Sequence, residues 1–270
     1  MINKVTAMAF SPNGSTGKVV QMIAKEVASR FNVPLLKDDF TLPESRIEHR
    51  EFCEKDLVVI GIPTYAGRIP NKILPFIQEN FTGNGAIAIP VVTFGNRSFD
   101  ESLKELCLEM DQNGFRILGA AGIVCQHVFS GKLATGRPDE NDVEDILTFA
   151  EKCADKLMDE AYLDFYKESP VGPYYKPLGM DGKPTVFLKA KPKTVEEKCT
   201  KCGICAKNCP MGSIDMANPS IVSGICIKCQ SCVKKCPTGA KYFDDEAFLS
   251  HVAMLEANYG RRAESVFLLK

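Results

Sequence analysis

Eight of the twelve cysteines in this 270-residue chain fall between residues 199 and 236, and their spacing points to one kind of metal chemistry. Cys199, Cys202, Cys205 and Cys209 are followed by Pro210, and Cys226, Cys229, Cys232 and Cys236 by Pro237. Each half reads C-x2-C-x2-C-x3-C-P. Three thiolates on such a loop can hold three corners of an iron-sulfur cube, while the fourth lies beyond the loop's reach and serves the other cube. The spacing therefore gives one [4Fe-4S] cluster to Cys199, Cys202, Cys205 and Cys236, and a second to Cys226, Cys229, Cys232 and Cys209. Structural zinc pairs two separated C-x2-C knuckles, whereas here three close cysteines recur and each group closes in Cys-Pro. Disulfides would need export. The N-terminus carries no signal peptide and no long apolar span follows, so a reducing cytoplasm is expected.

This block resembles the bacterial two-[4Fe-4S] ferredoxins over roughly residues 193 to 244. The halves repeat each other, with Cys209-Pro210-Met211-Gly212 answering Cys236-Pro237-Thr238-Gly239. The resemblance implies pseudo-twofold symmetry and two clusters close enough to exchange electrons. Around them, Lys191, Lys193, Lys198, Lys201, Lys207, Lys228, Lys234, Lys235 and Lys241 stand against Glu196, Glu197, Asp215 and Asp244, an excess of five positive charges. These lysines read either as a solvated face, or as a surface that receives an acidic partner or raises the cluster potentials.

A second chemistry begins at Ser11-Pro12-Asn13-Gly14-Ser15-Thr16-Gly17. The loop joins a strand to a helix, where free amides, the positive end of the helix dipole and small hydroxyls suit a monoester phosphate. It is not a Walker motif, because Val19 follows Gly17-Lys18 where a magnesium-binding hydroxyl would be needed. Nor is there a G-x-G-x-x-G dinucleotide fingerprint. Taken alone the loop could be a hydroxyl-rich turn that caps a helix. Two later strands end in Pro63-Thr64-Tyr65-Ala66-Gly67-Arg68 and Thr93-Phe94-Gly95-Asn96-Arg97, each with an aromatic ring and a glycine. An isoalloxazine ring needs such stacking faces and backbone donors, although Tyr65 and Phe94 singly would read as packing. Arg68 and Arg97 could place positive charge by a flavin or an anionic substrate, or be two exposed side chains.

Ser11-x-Asn13-Gly14-Ser15-Thr16 resembles the flavodoxin phosphate signature T-x-T-G-N-T, with Asn13 and Ser15 where that family has Thr and Asn. The segments at 63–67 and 93–96 are similar to its two ring-holding loops. The whole chain resembles the fusion family in which a flavodoxin-like domain precedes a two-cluster ferredoxin. That resemblance implies FMN held through its phosphate at Ser11, Asn13, Gly14, Ser15, Thr16 and Gly17. It implies ring contacts at Pro63, Thr64, Tyr65, Ala66, Gly67, Thr93, Phe94, Gly95 and Asn96.

The elements that must position these residues alternate strand and helix patterns, the mark of a parallel sheet covered on both faces. Strands are expected at 4–10, 33–37, 56–62, 86–93 and 115–124, with Pro34 confining the second to an edge. Helices are expected at 18–30, 70–80, 98–113 and 139–162. The fold class is then an α/β flavodoxin-like doubly wound five-stranded sheet, followed by a small α+β two-cluster ferredoxin domain. The boundaries expected are 1–165 for the FMN-binding domain, 166–192 for a proline-rich connector, 193–244 for the ferredoxin domain and 245–270 for a helix and tail. The pair Tyr174-Tyr175 should pack the connector across a surface, and the apolar run Val266-Phe267-Leu268-Leu269 should dock on a domain.

A hydrophobic fraction of 45%, 25% charged residues and a net charge of −1 describe a soluble globular chain with no sign of nucleic acid or a membrane span. Cys53, Cys107, Cys125 and Cys153 lack ligand spacing and read as buried apolar residues. The three histidines, His49, His127 and His251, take no role. Clusters pass one electron at a time, whereas a flavin can take two singly and deliver them together. The leading expectation is an electron-transfer iron-sulfur flavoprotein, an FMN- and iron-sulfur-dependent oxidoreductase. It would meet a redox partner protein or reduce a small-molecule acceptor such as a quinone. The alternatives are a non-catalytic carrier between larger redox enzymes, and a cluster-based redox sensor that holds no flavin.

Overall fold

A computed structural model of the chain describes residues 2–159 and 161–270. Strands β1 (Lys4–Ala9), β2 (Leu35–Asp39), β3 (Asp56–Pro63), β4 (Ile87–Phe94) and β5 (Gly119–Val124) form a parallel sheet in the order β2-β1-β3-β4-β5. Strands β3 and β4 are continuous apolar runs, as strands buried on both faces must be. Leu57, Val58, Val59, Ile60 and Ile62 are all fully buried. Helices α1 (Ser15–Phe31) and α4 (Glu140–Lys156) cover one face through Val19, Ile23, Ile146 and Phe149. Helices α2 (Leu74–Asn80) and α3 (Ser102–Gln112) cover the other through Ile77, Leu103, Leu106 and Met110. Each fully buried side chain of this size contributes about 1.5–3 kcal/mol. Among the described residues no helix is long and apolar enough to cross a membrane.

The order 2-1-3-4-5 defines a flavodoxin-like domain, as the alternation of patterns implies. Several boundaries differ from the sequence expectation for local reasons. Helix α2 starts at Leu74 because Pro75, which lacks an amide proton, fits only in a helix's first turn. Helix α3 starts at Ser102 because Asp100 takes a positive φ of 41° in the turn before it. Helix α4 gives way to a 3-10 turn at Leu157–Asp159, and Glu160, inside the helix expected to Tyr162, lies outside the described residues. Two segments of the fifth strand separate at Leu118, with Arg116–Ile117 pairing on β4 by itself. Helix α5 (Glu246–Asn258) is capped by Asp245, whose carboxylate accepts the Phe248 amide at 2.8 Å. The C-terminal run then adds β6 (Val266–Leu269) antiparallel to β5, in register Val266↔Gly122.

The ferredoxin-type region is built around a two-stranded ribbon, Lys193–Thr194 against Lys241–Tyr242, and two short helical turns, Ile204–Lys207 and Ser231–Lys234. Its internal repeat extends to the backbone. Lys201 and Lys228, Gly203 and Gln230, and Gly212 and Gly239 occupy matching places in the two halves, and all six have positive φ.

Candidate functional site

Two cavities in this region are each walled by four cysteines. One, of about 310 Å³, is lined by Cys199, Cys202, Cys205 and Cys236. The other, of about 370 Å³, is lined by Cys209, Cys226, Cys229 and Cys232. The fourth cysteine of each motif therefore stands with the other motif's triplet. Among the described residues no three His, Cys, Asp or Glu groups close on a single ion. Four thiols around each cavity are the donor set that a [4Fe-4S] cube takes.

The amides of Ser213, Lys228 and Ala240 point at the sulfurs of Cys209, Cys226 and Cys236, at 3.3, 3.4 and 3.2 Å. Burial pushes the Cys229 and Cys232 thiols up to about 12, so iron must displace their protons on binding. Burial acts the same way on Cys236, but hydrogen bonds from Thr238 and from the amides of Ala240 and Lys241 outweigh it and bring that thiol below its ordinary value.

Part of the lysine excess braces these loops. Lys228 Nζ donates to the carbonyls of Leu188 and Cys226 at 2.5 and 3.0 Å, and the buried Lys241 donates to Pro219. Lys191 Nζ donates to Val222 and Ser223. Lys198, Lys201 and Lys207, close in sequence to the first cavity's cysteines, are exposed.

A third cavity, of about 500 Å³, opens beyond the C-terminal ends of β1, β3, β4 and β5, where ligands bind in open parallel sheets. Of the residues expected around FMN, Ser11, Asn13, Ser15, Thr16, Pro63, Thr64, Tyr65, Thr93, Phe94 and Gly95 line it. The first turn of α1 begins at Ser15, and Ser11 Oγ accepts the Gly17 amide at 2.9 Å, which curls the loop around the helix start. Asn13 Oδ1 is buried with no hydrogen-bond partner, an acceptor suited to a ligand hydroxyl or N–H. The Ser15 hydroxyl and the start of α1, the orphaned Asn13 acceptor and the nearby Tyr65 ring together fit a phosphorylated flavin.

Gly14, Gly17, Ala66, Gly67 and Asn96 do not line the cavity, and each has another task. Gly14 takes φ 87° at the N-cap of α1. Gly17 packs against Ser11, and Ala66 accepts the Tyr175 amide at 2.8 Å. At Gly67 a Cβ would stand 2.2 Å from Asp100. Asn96 is buried and holds the C-terminal segment, donating to the carbonyls of Tyr259 and Arg261 at 2.5 Å and accepting the Ala263 amide at 3.2 Å. The Phe94 ring is also mostly committed: it is 8% exposed and packs edge-on against Phe99. The Thr64 and Thr16 hydroxyls pair with Ser102 and Thr93, each at 2.7 Å.

The two arginines are engaged as well. Arg68 forms an ion pair with the buried Glu105 and lies over the Tyr174 ring at 4.8 Å. Arg97 pairs with Asp100 and lies over Tyr175 at 3.8 Å. Tyr174 and Tyr175 thus strap the connector across both ring-side loops.

Sequence reasoning missed Pro12 and the segment after β5, Cys125, Gln126, His127 and Val128, which form the rest of the wall. That segment has no glycine or free aromatic, so only its place after the fifth strand could have found it. His127 Nδ1 accepts the Phe129 amide at 3.1 Å, which leaves the ring proton on Nε2. Burial, with His251, Lys234 and Arg97 nearby, pushes its pKa down to about 4. Of the four cysteines outside the motifs, Cys107, Cys125 and Cys153 are buried, but Cys53 is exposed, in the turn that leads into β3.

Two hydrogen bonds join the lining of this third cavity to that of the second cysteine cavity. Asn13 Nδ2 donates to the Cys229 carbonyl at 2.6 Å, and Ser231 Oγ donates to the Pro12 carbonyl at 2.9 Å. Nearby, Arg46 Nη2 donates to the Pro210 carbonyl at 2.5 Å.

These features define two kinds of domain in one chain, a flavodoxin-like α/β domain and a ferredoxin-type region. Residues 198–240 match the family described as a 4Fe-4S dicluster domain. Structurally the chain is similar to a flavodoxin from the domain Archaea, with 16% identity over 57% of this chain and 99% of that one, at a TM-score of 0.43. It is also similar to the Streptococcus pneumonia TIGR4 flavodoxin, with 20% identity over 58% and 99%, at a TM-score of 0.39. A third likeness is to an NADH:FMN oxidoreductase in its apo form, with 15% identity over 64% and 95%, at a TM-score of 0.43. No curated protein sequence matches the chain.

Proposed function

We propose that this chain is an electron-transfer iron-sulfur flavoprotein that holds FMN in the cavity beside Asn13 and two [4Fe-4S] clusters in the two cysteine cavities. The observation that carries the reading is the link between the two cavities, in which Asn13 lines one and donates to the backbone carbonyl of Cys229, which lines the other. When bound, the clusters supply one-electron steps and the flavin joins them into a pair. The chain's own residues do the positioning. Ser11, Ser15 and the start of α1 receive the phosphate, and Tyr65 and Gly95 flank the ring. Lys228 holds the carbonyl of Cys226 together with that of Leu188, and Lys191 holds those of Val222 and Ser223, just ahead of the second cluster's loop.

A non-catalytic carrier between larger redox enzymes is the second reading. It is favoured by the engagement of Arg68 and Arg97, which leaves neither as a free cation for an anionic substrate. Protein purified without air should contain heat-releasable FMN and about eight irons per chain. Turnover with a panel of quinones and other organic oxidants would establish the reductase, and reversible bleaching of both chromophores without turnover would establish the carrier. Full iron with no flavin would overturn both readings.

A further inference from the structure

Gln230 is absorbed by nothing described so far. It is 7% exposed and lines the cavity of Cys209, Cys226, Cys229 and Cys232. Its Nε2 is buried with no hydrogen-bond partner, a donor that is costly to leave unmatched. It also sits at φ 63°, in the left-handed region that side chains avoid. The matching place in the other half is Gly203, at φ 73°, which suits that conformation without strain and offers no donor. A side chain has been kept at a backbone position made for glycine, and its amide nitrogen has no acceptor within the protein. The cavity that it lines is one where four sulfurs converge.

We infer that Gln230 donates an N–H···S hydrogen bond to the cluster held in this cavity and sets that cluster's potential above its partner's. The inference rests on the iron-sulfur reading of the cavities. Reduction adds negative charge to the sulfurs, so a fixed donor favours the reduced state and raises the potential, and hydrogen bonds to sulfur are an established means of such tuning. The cluster of Cys199, Cys202, Cys205 and Cys236 receives no such bond from Gly203. The bias has a direction. The first cavity has exposed Cys202 in its wall, whereas the second abuts the flavin cavity through Asn13. Gln230 thus makes electrons that enter at the exposed cluster run downhill to the flavin-side one.

The test is an anaerobic redox titration followed by EPR on the full-length holoprotein, comparing wild type with Gln230→Met and Gln230→Gly. Methionine keeps the volume without the donor, and glycine reproduces the other half. Wild type should show two resolved cluster potentials. Each variant should keep full iron and sulfide and the same FMN content, while the higher potential falls toward the lower one, which stays in place. Full iron with both potentials unchanged would overturn the inference. So would loss of the second cluster in both variants with the first intact, because Gln230 would then build the site rather than tune it. Wild-type protein without iron would instead defeat the cluster reading on which the inference stands.

Discussion

Asn13 Nδ2 and the Cys229 carbonyl lie 2.6 Å apart although 216 positions separate the residues. The bond ties the phosphate-type loop of one domain to the cysteine loop of the other, and Ser231 repeats the tie at Pro12 in the opposite donor sense. Hydrogen bonds within one chain therefore hold the cavity beside Asn13 against the cysteine cavity that Cys229 lines. The connector strap of Tyr174 and Tyr175 over Arg68 and Arg97 holds the same arrangement from another side.

If these ties set the geometry, removing both should loosen it. Each such bond contributes about 1 kcal/mol, so Asn13→Ala combined with Ser231→Ala should weaken FMN binding by up to about thirtyfold. Both clusters should remain. Fluorescence titration of the deflavinated protein with FMN, alongside iron analysis, measures the effect.

The exchange of fourth cysteines between the motifs can be tested one ligand at a time. Cys209→Ala should remove the cluster of the 226–232 triplet, and Cys236→Ala that of the 199–205 triplet. Each variant should retain about four of about eight irons. The EPR spectra of the two variants should differ, and only Cys209→Ala should disturb the flavin absorbance.

Arg68, partly exposed, pairs with the fully buried Glu105, which also accepts the Ile69 amide at 2.8 Å. Arg68→Ala would leave that carboxylate unpaired inside the protein, at a cost of about 3–5 kcal/mol. The melting temperature of the flavodoxin-like domain, followed by circular dichroism, should fall by roughly 10 °C. Arg68→Ala with Glu105→Gln should recover part of the loss, because the second change removes the stranded charge.

His127 gives an acid-side signature. Its folded pKa, pushed down to about 4 by burial, lies below the ordinary histidine value of 6.5. Between those values the unfolded chain binds the proton and the folded chain does not, so stability falls as pH drops from about 6.5 toward 4. His127→Gln should flatten that part of the curve relative to wild type, measured by urea unfolding across pH. At neutral pH the variant should keep a similar denaturation midpoint.

Most of the fold was legible because periodicity carries it. The buried runs of β3 and β4 and the amphipathic faces of α1 and α4 follow from residue order alone. The cysteine motifs were equally plain, since their spacing is local. What escaped depends on contacts between distant residues. Asn96 looked like a ring-side loop residue but holds Tyr259 and Arg261, and Phe94 is taken by Phe99. Arg68 and Arg97 looked free because their partners, Glu105 and Tyr175, are set by packing. The tail's apolar run showed that it would dock, but not that it would pair with β5. Gln230 is the reverse case, a departure from glycine that is visible in sequence and given meaning only by its buried, unmatched donor.

The central claim, electron passage between clusters and flavin inside one chain, is tested most directly by rapid mixing without air. Holoprotein at several concentrations is mixed with a limiting one-electron donor, and cluster and flavin absorbances are followed together. The account predicts that flavin bleaching trails cluster reduction at a rate independent of protein concentration, and that Cys226→Ala abolishes this phase. A rate that rises in proportion to protein concentration, or flavin that bleaches as fast in Cys226→Ala as in wild type, would contradict it.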